Sequence, residues 1–226
     1  MSIKKWNLVI LFFFIFIGVL GQMGKSMMKE LDVSSIEEFS KLDCKLNYIY
    51  GMNQEDEKEC YDSFVKYEDE YVQSAKNADN VFVGKFTGEI CIDGMALGVW
   101  VNVEKSLKGI PLEKGERILI YIDYLLSFDE QGKAIYDNTI NMMNLEDKYL
   151  IFYEPSELND YQREKEYRFT TYFGYYNLSE TISKPVDIHK MNVNSVSNNE
   201  FFASSERIIK QLEKIKKKVI AYYLYE

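Results

Sequence analysis

Lys4 and Lys5 stand just ahead of an apolar run from Leu8 to Leu20, LVILFFFIFIGVL. A charged start followed by about 7–15 apolar residues is the pattern of an export signal, because the run partitions into hydrocarbon while the lysines stay on the cytoplasmic side. Residues 1–22 are therefore read as a signal peptide or as a retained N-terminal membrane anchor. Val19-Leu20-Gly21 offers a cut before Gln22 without a clean A-x-A site, and Trp6 to Met23 is long enough to span with interfacial help. No cysteine follows the run directly, which argues against a lipid-modified N-terminal cysteine. Either reading places the remainder at the extracytoplasmic face of the cell membrane or in the medium.

That remainder is long enough for one domain with a core of its own or for two very small ones. The chain holds 18 Tyr and 14 Phe against 3 Pro, and aromatics favour half-buried pleated surfaces, so the balance leans toward strands. A net charge of −9 repels phosphate backbones and anionic lipid and argues against nucleic acid as the main partner, a local basic stripe near the C-terminus being the one exception. The three cysteines suit an oxidising compartment. Cys44 and Cys60 form a candidate disulfide, whose closed loop would stabilise by about 3 kcal/mol in the chain-entropy model, with Cys91 left over. The alternative is three reduced, half-buried thiols.

Residues 23–77 read as a helical region. Ser34-Ser35-Ile36-Glu37-Glu38 carries overlapping S-x-x-E capping boxes and opens a short helix. A longer helix runs from about Gln54 to Lys76, capped by Asn53, with Glu55, Asp56 and Glu57 in the first turn. The register changes in residues 78–180. Val81–Glu89, Leu97–Leu107, Glu116–Leu126, Lys148–Tyr153 and Arg168–Tyr176 read as five strands, the first carrying Gly84 where a bend or bulge fits. Five strands without regularly interleaved helices predict an antiparallel barrel or sandwich. Residues 181–226 begin with a polar connection. Ser197-x-x-Glu200 forms a further capping box, expected to open a last helix with an apolar stripe of Phe201, Ile208, Ile209, Leu212, Ile215, Val219 and Ile220.

Three segments carry a resemblance: Ala78-Asp79-Asn80-Val81-Phe82-Val83-Gly84-Lys85, then Val101-x-Val103-x-Lys105-x-Leu107-Lys108-Gly109 with Lys114-Gly115-Glu116, then Asp147-Lys148-Tyr149-Leu150-Ile151-Phe152. Over about residues 79–153 the chain resembles the netrin-like domain of tissue inhibitors of metalloproteinases and their bacterial relatives. The resemblance implies an OB-type barrel, hence a mainly β, α+β fold: a five-stranded OB-like antiparallel β-barrel between an N-terminal helical region and a C-terminal helix. The animal inhibitors chelate the protease zinc through an N-terminal cysteine. Here a helix and Asn77-Ala78-Asp79 precede the barrel, so that mechanism does not carry over.

The residues point to no catalytic set, metal site or cofactor. His189 is the sole histidine and lies in the polar connection, and Cys91 with His189 is the sort of pair that any chain with both residue types offers. Asp56/Glu59 and Glu68/Asp69 read as a solvated helix face, and Asp129-Glu130-Gln131-Gly132-Lys133 lacks a full calcium loop. Lys210, Lys214, Lys216, Lys217 and Lys218 form a basic stripe. It is either the wet side of an amphipathic helix or a face for anionic membrane or wall polymer. Tyr172 to Tyr176 is a strand or an exposed binding face. The expected function is a non-catalytic binding module for a protein or cell-envelope polymer, touching the membrane through its N-terminal segment. An unrecognised extracellular hydrolase and a membrane-held immunity-like protein are the alternatives.

Overall fold

A computed structural model describes residues 33–225 except 43, 48, 94–95, 123–125, 130–132, 146, 156–165, 170–173, 182, 188 and 190–191. The expected signal or anchor, residues 1–22, lies outside the described residues, as does Tyr172. Among the described residues no helix is long and apolar enough to cross a membrane.

The first local signals act where the sequence puts them. In α1 (Ile36–Ser40) the Ser35 hydroxyl accepts the Glu38 N–H at 3.2 Å, while the Glu38 carboxylate accepts the Ser34 N–H at 2.9 Å. Asn53 caps α2 (Gln54–Lys66) by accepting the Asp56 N–H at 2.9 Å. The single long helix expected here is two. Tyr67 (φ −105°, ψ 17°) separates α2 from α3 (Glu68–Asn77), and beyond the break Glu68 is buried instead of solvated.

The main sheet contains β2 (Asn80–Asp93), β3 (Ala96–Lys108), β4 (Arg117–Ile122), β7 (Lys148–Pro155), β8 (Glu166–Phe169) and β9 (Tyr175–Asn177). Its order is β2-β3-β4-β8-β7-β9, and β2 also pairs with β7. Val99, Val101 and Val103 of β3 are buried while Asn102 is exposed, the alternation a sheet with one face inward requires. Gly84 sits at a register shift, pairing with Val103 on one side and Tyr149 on the other. A Cβ there would come within 2.5 Å of Val101 and 2.6 Å of Phe82, so only glycine lets the two neighbouring strands close around it.

The architecture is α+β, with a largely antiparallel sheet and, among the described residues, four α-helices. A five-stranded OB-like antiparallel barrel was expected, and the structure departs from it in three ways. β4 and β8 run parallel. Among the described residues β8 contributes three ladder pairs to each neighbour, against ten between β2 and β3, and no full-length closing seam is seen there. The fifth strand expected at Arg168–Tyr176 is two strands, β8 and β9, both pairing with β7. A second small sheet, β1 (Lys45–Leu46), β6 (Ala134–Tyr136) and β5 (Leu126–Phe128), has no counterpart in the sequence reading.

The last helix, α4 (Glu206–Leu224), starts later than Ser197-x-x-Glu200 suggests, with Ser205 at its N-cap position. Ser197 instead closes a 3-10 helix at Val193–Val196. Residues 200–203 stay extended because long-range backbone bonds claim them. Phe202 N–H donates to Thr139 at 2.7 Å, Tyr50 N–H to Phe202 at 2.8 Å and Val186 N–H to Ala203 at 2.8 Å. Phe201 is therefore a buried residue of this extended segment and not of the helix. α4 buries Ile208, Ile209, Leu212, Ile215 and Val219 against α2, α3 and the sheet, where Phe152 of β7 meets Tyr223 at 5.9 Å between ring centroids.

Candidate functional site

Because α4 turns once every 3.6 residues, the apolar stripe that holds it down leaves Lys210, Lys214, Lys217 and Lys218 on its opposite side. These four side chains, with Glu213 and Thr181, line an open groove of about 650 Å³. Lys210 pairs with Glu206 one turn back at 3.2 Å. Lys214 and Lys218 both reach Glu68 of α3, at 2.8 and 2.5 Å, and Lys218 also approaches Asp69 at 3.4 Å.

Lys216 does not belong with them. It falls four residues after Leu212 and three before Val219, inside the apolar stripe, and its side chain is 5% exposed. Its ammonium pairs with the Glu200 carboxylate, itself 3% exposed. Glu200 also accepts the Thr181 hydroxyl at 2.7 Å and the Asn177 N–H at 2.8 Å. Asn177 passes the network on, donating its side-chain amide to Asp147 at 2.8 Å and to the Tyr149 hydroxyl at 3.3 Å. A buried charge pair needs further hydrogen bonds around it; Glu200 has those from Thr181 and Asn177, and the Lys216 ammonium also reaches the Thr181 hydroxyl at 3.3 Å.

Between the buried pair and the groove lies Glu213. Burial pushes its carboxyl above the usual range; Lys216 and Lys217 act against that shift, and Glu200 reinforces it. Glu68 behaves oppositely. Burial raises it, but hydrogen bonds from Lys214, Lys218 and Gln211 outweigh this and hold it at about 2. At the other end of α4, Arg207 forms two hydrogen bonds to Glu57 of α2 while the Ser205 hydroxyl donates a third at 2.5 Å. These bonds from Arg207 and Ser205 bring Glu57 to about 2. Arg207 also lies over the Tyr61 ring at 4.8 Å. Three ion-pair groups, all fastening α4 to the rest of the fold, are the main polar machinery on this side.

The other sequence candidates fall elsewhere. Cys91 lies on β2, its thiol 3.6 Å from the Tyr121 hydroxyl. His189 is exposed in the connection, and no hydrogen bond joins it to Cys91 among the described residues. Cys44 is buried and Cys60 half-buried, and the structure draws no disulfide between them. Asp56 carries a helix-capping contact, and Asp129 closes its hairpin by accepting the Lys133 N–H at 2.8 Å. No group of side chains that would hold a metal ion occurs among the described residues. Tyr175 and Tyr176, offered as a possible binding face, are buried. Of the groove, the sequence reading had the lysines. It missed Glu200 and Lys216 as a pair, although the place of Lys216 inside the apolar stripe was a visible signal for one half of it.

No protein-family model matches this chain, and no curated protein matches it closely enough to be counted a relative.

Proposed function

We propose that the chain is an exported, non-catalytic binding module, tethered to the membrane by its N-terminal run or released from it, that engages a protein or polymer of the cell envelope. The observation carrying this reading is the use to which the ionisable groups around α4 are put. Glu200, Lys216, Glu68, Glu57 and Arg207 are held by partners that pin the helix to the fold, which leaves an open, lysine-lined groove as the presented surface. A groove open to solvent suits recognition of an extended partner, whereas small-molecule chemistry favours enclosed pockets.

The same proposal takes the sheet as an OB-type barrel of the netrin-like kind. β2, β3, β4 and β8 each have two partners and β7 has three, β9 included, and the series returns to β2 through the β2–β7 ladder. A five-stranded Greek-key barrel that is partly open accommodates the short ladders at β8. Gly84, the turn glycine Gly109 (φ 84°) and Gly115 (φ 86°) supply the bend and turns that such a small barrel needs.

The test is co-sedimentation of the full chain with isolated envelope from its producing cells, beside labelling of intact cells with a membrane-impermeant amine reagent. Labelling of the intact cells together with saturable sedimentation supports the proposal. A chain labelled only after lysis, or one left in the supernatant at all concentrations, overturns it.

A further inference from the structure

We infer that the lysine row of α4 is a docking face for a linear, phosphate-bearing polyanion of the cell envelope, an inference that rests on the binding reading above. Lys210 and Lys218 are eight residues apart, about 12 Å along the helix axis, so the charges form a line and not a cluster around one ion. Thr181, from the connection beside the helix, also lines the groove, with its hydroxyl engaged by Glu200 and Lys216. Lys210, Lys214 and Lys218 have side chains 77, 58 and 44% exposed, so each keeps donor capacity toward solvent after its ion pair is counted.

The pairing also prepares them. Glu68 holds Lys214 and Lys218 side by side, which reduces the side-chain entropy a ligand must remove. All four cations are lysines. An ammonium is a compact point charge with rotatable donors, suited to successive tetrahedral phosphates, whereas planar carboxylates are matched better by the arginine fork. Glu206, Glu68, Asp69 and Glu213 face the row and moderate its field, and the chain as a whole carries −9. Association is therefore local, modest in strength and strongly weakened by salt.

The probe is fluorescein-labelled linear inorganic polyphosphate, titrated by anisotropy against the full chain in neutral detergent micelles. Polyglutamate of similar charge and vesicles of anionic or neutral lipid serve as competitors. Lys210→Glu with Lys217→Glu tests the row, since neither lysine bridges α4 to another element in a described ion pair. Lys41→Glu with Lys58→Glu, both exposed on the N-terminal region, changes the net charge equally. Thermal melts of both double variants confirm that each folds. Polyphosphate is expected to bind at low salt, to out-compete polyglutamate, and to lose at least about tenfold in affinity in the α4 variant. The control variant should stay within about twofold of the parent. Absence of binding at low salt, equal loss in both variants, equal competition by polyglutamate, or displacement only by anionic vesicles overturns the inference. Sedimentation with envelope that persists when polyphosphate fails to bind would leave the binding-module reading standing and remove only this ligand class.

Discussion

Lys216→Met is the most demanding test of how the fold is held, because it removes one charge from a pair that water does not reach. In the parent, Glu200 receives the Lys216 ammonium, the Thr181 hydroxyl and the Asn177 N–H. Methionine keeps the length and the apolar stem, so the loss isolates the ammonium. Glu200 is left as a buried carboxylate with two neutral donors. Breaking a buried pair from one side costs about 3–5 kcal/mol, and the two surviving hydrogen bonds put the expectation at the low end, about 3 kcal/mol. For a domain of this size that corresponds to a fall in Tm of about 6–12 °C. Glu200→Gln together with Lys216→Met replaces both charges by neutral groups of similar shape, and Gln still accepts the Asn177 N–H. The double variant should therefore be less destabilised than Lys216→Met alone, with a coupling energy of at least about 1.5 kcal/mol in the cycle. Urea unfolding followed by far-ultraviolet circular dichroism on all four proteins gives each term. If Lys216→Met costs under about 1 kcal/mol, or if the two single losses simply add, the pair does not hold α4 to the β9 end of the sheet as argued.

Gly84→Ala should destabilise by about 1–3 kcal/mol in the same assay, because the added methyl overlaps Val101 and Phe82 between two paired strands; an unchanged midpoint would mean that β2 is not gripped on both sides. Glu57 and Glu68 are both held at about 2, below the ordinary glutamate value, so their contribution is present above about pH 4.5 and disappears as pH falls toward 2. The urea midpoint should drop over that interval, and Glu57→Gln with Glu68→Gln should flatten the drop; a profile as steep as the parent's would place the acid sensitivity elsewhere. All three thiols should alkylate in denaturant without reductant. In the native protein Cys44 should resist alkylation because it is buried, and Cys60 because burial and the nearby Glu57 push its thiol up to about 11. Intact mass reads the count, and two thiols that appear only after reduction would restore the Cys44–Cys60 bond.

Several features of the fold were legible in short stretches of sequence because their causes are short-ranged. A cap needs a hydroxyl or amide three residues from the N–H it satisfies, and Ser35 and Asn53 act as their surroundings indicate. Alternation along Val99, Val101 and Val103 reports one buried face, and the glycine within β2 reports a crowded bend. The stripe on α4 likewise announces a helix with one side against a core.

What the sequence could not decide was which partners arrive from far along the chain. Ser197-x-x-Glu200 has the local form of a capping box, yet the segment stays extended because Thr139, Tyr50 and Val186 engage the backbone of residues 202 and 203. Glu68 looks like one more acid on a wet helix until Lys214 and Lys218, about 150 positions later, close over it. Lys216 looks like one lysine of five until Glu200 is brought beneath it. The parallel meeting of β4 with β8 and the small sheet of β1, β5 and β6 are similarly non-local. Such pairings leave no period and no short motif, because their free energy comes from burying specific groups together after loop closure and not from the preferences of neighbouring residues.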